Sequence, residues 1–292
     1  MAVATGVATT VLVVAGRRGY SGERITTRQT NKTPMQQIVE EFEVPFGSSV
    51  AVQRFAPAAM RHMHQYGTTS EQLGHIAVTS RSHAQLNPQA VMFGKPMTLF
   101  DHQNSPMIST PFRRFDCSLE TDGAGAVVIT SAERARNLPQ PPVYVSGVGE
   151  SHSYPPTAIT QRSDMTSMEA LGVAGKRALT MAGVSLSDID LLLIHEGFTW
   201  FVIAALEALG FVAPGEGGPF VEEGHLLLGG SLPFNPHGGA LSEAHVSGVN
   251  HAIEGVRQLR RTVEPGRQVE CDHVLYVNEG NFFDGSVMVL SR

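Results

Sequence analysis

The pattern of apolar and polar positions changes period sharply around His195. Residues 191–194 are consecutive aliphatic residues, which is typical of a strand buried on both faces of a covered sheet. Apolar residues then recur every three or four positions over 198–209, which predicts an amphipathic helix that Gly210 can end. His195 and Glu196 therefore lie where a strand ends and a helix begins, the position at which open α/β sheets bind ligands. On position alone, a functional histidine and one that only satisfies the turn are equally good interpretations.

The rest of the chain predicts further strands and helices, which alternate in the second half. The predicted strands are 10–14, 122–130, 143–148, 273–278 and 285–290, and the predicted helices are 58–64, 70–84, 165–182 and 242–259. We expect the strands at 10–14 and 122–130 to be buried, and the last helix to carry His245. Residues 87–112 predict a loop-rich excursion, and the two closing strands predict a hairpin.

A proline-rich linker at 137–142 divides the chain. It predicts one unit at 1–138 and another at 143–292, which we interpret as two similar α/β halves. The first residues of the chain are alanine-rich, which predicts the end of a helix directly before the strand at 10–14. We therefore expect the first half to lack its amino-terminal part, and the sequence alone leaves open whether Met1 is the true start.

Composition and charge narrow the class of protein. A hydrophobic content of 42% and a charged content of 16% describe a well-buried globular protein. The net charge of −6 and the lack of a long basic run argue against a nucleic-acid surface. The apolar segment 2–16 is too short to span a bilayer and lacks the basic start of a signal peptide. Cys117 and Cys271 form neither a disulfide framework nor a metal-ligand pattern, which predicts a cytoplasmic protein with no bound metal.

Polar residues follow successive strands of the second half, at 195–196, 235–245 and 278–284. Parallel strands would bring these segments together at one edge of a sheet. Two histidines from different loops, beside helix amino termini, would form an oxyanion-binding and proton-transfer site. The sequence contains no G-x-S-x-G, dinucleotide or P-loop motif, so hydrolase and nucleotide-binding functions lack support.

Several of these segments resemble motifs of the thiolase superfamily. Residues 238–248 are similar to the thiolase stretch in which Gly-Gly-Ala leads to Gly-His-Pro and a later glycine. Residues 195–198 resemble the Asn-Glu-Ala-Phe loop, in the His-Asp-Cys-Phe form of sterol-carrier-protein-type thiolases. Further matches, to the actinobacterial lipid-transfer and steroid-aldolase branch, are 206–211, 215–220, Asn235, 66–69, 87–88, 116–117 and 122–124. The resemblance covers essentially the whole chain.

The resemblance implies an α-β-α-β-α sandwich of two similar halves, the first incomplete, usually assembled as a homodimer. It implies binding of acyl-CoA or steroid-CoA thioesters, partly by a loop region within about 17–114, with no other cofactor. The activity it implies first is that of an acyltransferase of the acetyl-CoA acetyltransferase or lipid-transfer class. His245 matches the histidine that activates the nucleophilic cysteine, and His195 matches the loop residue that helps to build the oxyanion site.

The expected catalytic residues are His245, His195 and Glu279. Glu279 is a substitute acid/base in this hypothesis, and it fits a solvated turn equally well. The expected substrate-binding residues are Glu196, Phe198, Asn235, Gly238, Gly239, Asn278 and Gly280.

Two departures from the thiolase pattern leave other activities open. The nucleophilic cysteine is absent, and no cysteine lies near 278–280, where the acid/base cysteine would fall. Ala244 and Val246 also replace the glycine and proline that flank the histidine. One alternative is a retro-aldol carbon–carbon lyase acting on a β-hydroxyacyl-CoA steroid side chain with a small OB-fold, zinc-ribbon partner, although those aldolases carry a tyrosine where this chain has His195. Another alternative is a non-catalytic lipid-binding subunit.

Overall fold

The computed structural model describes residues 1–22, 40–153, 162–281 and 284–292, with the backbone alone for 279–281. The strands are β1 (Thr10–Arg18), β2 (Met107–Ser109), β3 (Phe112–Arg113), β4 (Asp122–Thr130), β5 (Tyr144–His152), β6 (Leu191–His195), β7 (His273–Asn281) and β8 (Asp284–Ser291). The α-helices are α1 (Ala51–Tyr66), α2 (Ser70–Ala84), α3 (Leu99–Gln103), α4 (Ala132–Ala135), α5 (Glu169–Ala182), α6 (Thr199–Leu209), α7 (Gly217–Glu222), α8 (Gly239–Ser242) and α9 (Val249–Leu259). Across these described ranges, no helix is both long and apolar enough to cross a membrane.

Four strands of the second half form one mixed sheet in the order β5-β8-β7-β6. Strands β6 and β7 run parallel, whereas β8 pairs antiparallel with β7 and with β5. In the β6–β7 register, His195 lies beside Asn278. The prediction that these two strand ends meet at one edge of the sheet is therefore confirmed, and so is the closing hairpin.

Strand β6 is buried on both faces because apolar side chains cover each side of it. Leu192 and Ile194 belong to the larger core cluster, which includes residues of α5 and α6. Leu191 and Leu193 belong to a second cluster, where Leu259 of α9 packs. The split follows from the two-residue period of a strand, which sends successive side chains to opposite faces.

Helix α9 lies between this sheet and the pair formed by β1 and β4. A Cβ on Gly255 of α9 would meet the Leu193 side chain at 3.1 Å, so the helix backbone approaches the sheet closely. A Cβ on Gly125 of β4 would meet Ile253 and Val249 of α9 at 2.7 and 2.9 Å. Strands and helices thus alternate in layers, which is the mixed α/β architecture that the sequence predicted.

The predicted continuous helix 242–259 is wrong. Helix α8 ends at Ser242 and α9 begins only at Val249. Between them, Ser247 and Gly248 have φ values of 57° and 80°, a left-handed conformation that cannot continue a right-handed helix. His245 therefore lies on a turn and not on a helix.

Strands β1 and β4 form a two-stranded antiparallel pair in which Thr10 lies beside Thr130 and Arg18 beside Asp122. The predicted burial of both strands is wrong, since neither contains a fully buried residue and Leu12 and Val128 are 63% and 66% exposed. Alternation of side chains explains why the two faces differ in degree, because the face that includes Gly125 packs on α9 and is partly buried. Residues 2–7 form turns, and the predicted tail of a helix is absent there.

Of two helices in the first half, α2 begins where it was predicted and α1 begins earlier. Helix α2 begins as predicted after Thr69, whose Oγ1 accepts the backbone N–H of Gln72 at 3.2 Å. Helix α1 is longer than predicted and begins at Ala51, before Pro57. Proline removes a helical hydrogen bond, but residues around it, including Phe55, are buried, so packing outweighs this local cost.

Replacing Gly149 with alanine is expected to lower the free energy of unfolding by about 3 kcal/mol, the upper range for overpacking. A Cβ on Gly149 of β5 would lie 1.9 Å from the carbonyl oxygen of Ala174 on α5, and backbone cannot yield as a side chain does. Urea unfolding measures the effect. Gly229→Ala is the matched control, since a Cβ there meets nothing within 4 Å. Equal losses in both variants would contradict the prediction.

Candidate active site

His195, at the end of β6, is held in one tautomer by its neighbour on β7. Its Nδ1 lies 2.8 Å from the side-chain oxygen of Asn278, which can only accept, so Nδ1 carries the proton. The other nitrogen, Nε2, is buried and has no hydrogen-bond partner among the described residues. Burial lowers the pKa of His195, the Asn278 contact opposes this shift, and the charge of Arg17 adds to it. His195 is therefore a neutral imidazole whose Nε2 lone pair can accept a proton.

His245 faces His195 from the turn between α8 and α9, with their ring centroids 5.0 Å apart. Thr121 fixes this turn, because its hydroxyl accepts the His245 N–H at 2.9 Å and lies 3.2 Å from the His245 carbonyl. The Ser118 hydroxyl lies 3.0 Å from Nδ1 of His245. Burial first, then the neighbouring His195 and the charge of Arg17, lower the pKa of His245 to about 3. Both facing histidines are thus neutral at pH 7.

The positively charged side chain of Arg17, on β1, lies against His245. Nη1 of Arg17 lies 3.0 Å from Nε2 and 3.3 Å from Nδ1 of His245. A guanidinium only donates hydrogen bonds, so the His245 nitrogen that faces it must accept. His245 is consequently engaged on both sides, by Arg17 and by Ser118, whereas Nε2 of His195 is buried and is bound by no described residue.

Glu196 connects the loops that carry the two histidines, and its side chain is fully buried. Its Oε1 accepts the Leu241 N–H at 3.2 Å, and its Oε2 accepts the Asn235 amide at 2.8 Å. Nε2 of His251 lies 3.1 Å from the same Oε2. Burial outweighs these contacts and raises the pKa of Glu196 to about 8, so the carboxyl is protonated at pH 7. Its O–H donates a hydrogen bond to Nε2 of His251.

Asn235 ties the same loop to β6 through its side chain. Its Oδ1 accepts the Ile194 N–H at 3.0 Å, and its Nδ2 donates to the Ile194 carbonyl at 2.8 Å. The residue has a φ of 40°, a left-handed conformation that asparagine tolerates better than most residues. Asn235 therefore takes the place of a neighbouring strand at the buried edge of β6 that β7 does not pair with.

The structure separates the predicted substrate-binding residues into two groups. Asn278 lies beside His195, whereas Glu196 and Asn235 are buried behind the histidines. Phe198 packs in an aromatic cluster, with its ring stacked on Phe112 at 5.1 Å. These three buried side chains would act on a substrate only through the residues they hold.

Gly238 precedes α8 and Gly239 begins it, with φ values of 104° and 61°. A Cβ on Gly239 would lie 2.0 Å from Oε1 of Glu196, so the close approach of Glu196 requires glycine. Both glycines therefore support the site from behind. Glu279 and Gly280 lie on β7, and their side-chain surroundings fall outside the described residues.

Arg17, Ser118, Thr121 and His251 also build the site, and the sequence pattern did not indicate them. Arg17 and Ser118 are 228 and 127 positions away from His245 in the chain. The motifs at 116–117 and 122–124, which flank Ser118 and Thr121, were signals that pointed to this region. Tertiary contacts of this range leave no periodic trace in a sequence.

Comparison with known proteins identifies the family. A family model described as "Thiolase C-terminal domain-like" matches residues 149–292. The 17-hydroxy-3-oxo-4-pregnene-20-carboxyl-CoA lyase of Mycobacterium tuberculosis is 40% identical over 283 residues, which are 94% of this chain and 72% of that protein. The chain belongs to the thiolase superfamily. The steroid side-chain-cleaving aldolase of Thermomonospora curvata is likewise 40% identical over 267 residues, which are 90% of this chain and 68% of that protein.

A solved structure supports the same assignment for this thiolase-superfamily chain. The "Ltp2-ChsH2(DUF35) aldolase" matches it with a TM-score of 0.91 and 36% identity, covering 99% of this chain and 74% of that one. The predicted family and the α/β fold class are confirmed. The names of these relatives are those of a lyase and of aldolases, so they support the carbon–carbon lyase alternative better than the acyltransferase prediction.

The described cysteines of this thiolase-superfamily chain do not supply a nucleophile. Thiolase-type covalent chemistry needs a thiolate. Burial, followed by the charge of Asp116, raises the pKa of Cys117 to about 12, and burial raises the pKa of Cys271 to about 12. Both thiols are protonated at neutral pH, so neither one prepares a covalent acyl intermediate.

Proposed function

We propose that this protein is a carbon–carbon lyase that cleaves a β-hydroxyacyl-CoA thioester by a retro-aldol reaction. The supporting observation is the pair of facing neutral histidines, in which Nε2 of His195 is an unengaged acceptor and His245 is already bound on both sides. A retro-aldol reaction needs a base for the hydroxyl and stabilisation of an enolate, but no covalent cysteine. Among the described residues, His195 can serve as the base for the hydroxyl.

In the proposed reaction, Nε2 of His195 takes the proton of the β-hydroxyl group. The hydroxyl oxygen then forms a carbonyl, the bond between the α and β carbons breaks, and its electron pair moves onto the thioester as an enolate. Protonation of the α carbon by the His195 imidazolium completes the reaction and restores the base. The products are a ketone or aldehyde and a shortened acyl-CoA, and the atoms balance without water or another cofactor.

Two further features of the proposal come from the relatives. Their names refer to steroid side chains and to a carboxyl-CoA group, which supports a steroid-CoA as the substrate class here. The matching solved aldolase contains a DUF35 component, which supports a partner subunit of that kind, the small OB-fold partner that the motifs implied. Assembly as a homodimer stays a prediction from the resemblance.

Cleavage assays with two substrates test the proposal. The full chain, alone and with a DUF35-type partner, is incubated with a steroid β-hydroxyacyl-CoA and separately with acetoacetyl-CoA plus CoA. We expect a shortened acyl-CoA and a ketone, detected by mass spectrometry, from the hydroxyacyl substrate only. Turnover of acetoacetyl-CoA would instead favour the acyltransferase function, and turnover of neither would favour a non-catalytic binding subunit.

A further inference from the structure

Arg17 reaches the site because of its position on β1. Its partner across the β1–β4 pair is Gly123, which has no side chain to compete for the space. The alternation along β1 places Arg17 on the face that packs toward α9 and the turn of His245, and Arg18 on the opposite face. A Cβ on Gly123 would meet Val246, the residue after His245, at 3.3 Å, which shows how closely this face approaches the turn.

The guanidinium lies against one of the two facing histidines and close to the other. Nη1 is 3.0 Å from Nε2 of His245, and the His245 ring is 5.0 Å from the His195 ring between centroids. Arg17 is half-buried, so water screens its charge less than that of an exposed arginine. The base and a fixed positive charge therefore both lie next to the His245 ring.

We propose that Arg17 is a catalytic residue of the lyase, binding the thioester oxygen on which negative charge develops as the carbon–carbon bond breaks. This inference rests on the proposed lyase function. The electron pair of the broken bond delocalises onto that oxygen, and the guanidinium donates hydrogen bonds to it without losing its own proton. A preoriented cation acts mainly in the transition state, since the ground-state carbonyl carries little charge.

The same charge adds to the burial that keeps the base in its neutral form. Several titratable groups surround His195: His245 and His251 contact its ring, Glu196 lies behind His251, and Arg17 approaches from β1. Burial is the main cause that lowers the pKa of His195, and the charge of Arg17 lowers it further. Loss of that charge should therefore raise the pKa of His195 and shift the acid limb of the rate profile to higher pH.

The test compares Arg17→Gln with Arg18→Gln, its neighbour on the outer face of β1. With a steroid β-hydroxyacyl-CoA, we expect Arg17→Gln to lower kcat about 100-fold with little change in KM, the loss typical of an oxyanion donor. We also expect the acid limb of kcat to move to higher pH in Arg17→Gln and to stay in place in Arg18→Gln. Thermal unfolding confirms that each variant is folded.

Arg17→Lys keeps the test decisive if Arg17→Gln does not fold. This variant retains a positive charge, so its acid limb should stay in place and its kcat should remain within about tenfold of the wild type, less than the loss from removing an oxyanion donor. An Arg17→Gln variant with wild-type kcat and an unmoved acid limb would overturn the proposal, as would an Arg17→Lys variant that loses activity 100-fold. Failure of the wild type to cleave any β-hydroxyacyl-CoA would refute the lyase function instead.

Discussion

Replacing His195 with alanine is expected to lower kcat for cleavage of a β-hydroxyacyl-CoA by about 100- to 10,000-fold, the contribution of a positioned general base. Asn278 fixes the proton on Nδ1 of His195, so that Nε2 carries the lone pair. No described residue binds Nε2 in its place. Steady-state kinetics on the folded variant measures the loss.

His225→Ala is the matched control for this experiment. His225 is a half-buried histidine whose ring contacts Ser231, Glu223 and Phe220, and it belongs to neither the sheet edge nor the His245 turn. Its loss should leave kcat within about twofold of the wild type, as surface substitutions away from a site usually do. Equal activity of the His195→Ala and His225→Ala variants would show that another group is the base.

Replacing Glu196 with alanine is expected to lower the free energy of unfolding by about 4 kcal/mol. The carboxyl group accepts hydrogen bonds from Asn235 and from the Leu241 backbone, and it contacts His251. Each buried group left without a partner costs about 1–3 kcal/mol. Guanidinium unfolding followed by circular dichroism measures the change, and a loss below about 1 kcal/mol, the cost of a single such group, would contradict the prediction.

The pH dependence of stability provides an independent check on Glu196, and Glu196→Gln is its matched control. The pKa of the buried carboxyl is raised to about 8, against 4.5 for its ordinary value. Between these values the folded protein keeps the proton and the unfolded chain loses it, so the stability from Glu196 falls as pH rises from about 5 to about 8. Glu196→Gln cannot ionise and should lose this slope. If the stability of the wild type and of Glu196→Gln fell equally between about pH 5 and about pH 8, a group other than Glu196 would be the cause of the pH dependence.

The sequence predicted the local elements on which the site stands. The run 191–194 and the period over 198–209 correctly indicated β6 and α6, and the left-handed Gly210 ends that helix. Asn278 was also placed correctly at the same sheet edge as His195. These predictions succeeded because burial of a strand and of a helix face leaves a periodic pattern within a short segment. The division at 137–142 into two units stays a prediction.

The positions of the His245 turn and of Arg17 were decided only by the tertiary structure. The apolar spacing over 242–259 fits a helix, yet the left-handed Ser247 and Gly248 break it, because Thr121 holds the His245 backbone from another part of the chain. The strand that carries Arg17 shows an ordinary apolar pattern, and nothing in it indicates contact with His245.

The sequence by itself therefore determined the family, strand β6, helix α6 and the two histidines. The tertiary structure alone decided that no described residue binds Nε2 of His195, that Glu196 is a buried neutral acid, and that Arg17 supplies the positive charge. The physical reason is that a protonation state depends on burial and on charges within a few ångströms. Those neighbours lie far apart in the chain, from 39 positions for Asn235 and Glu196 to 228 for Arg17 and His245, and only folding brings them together.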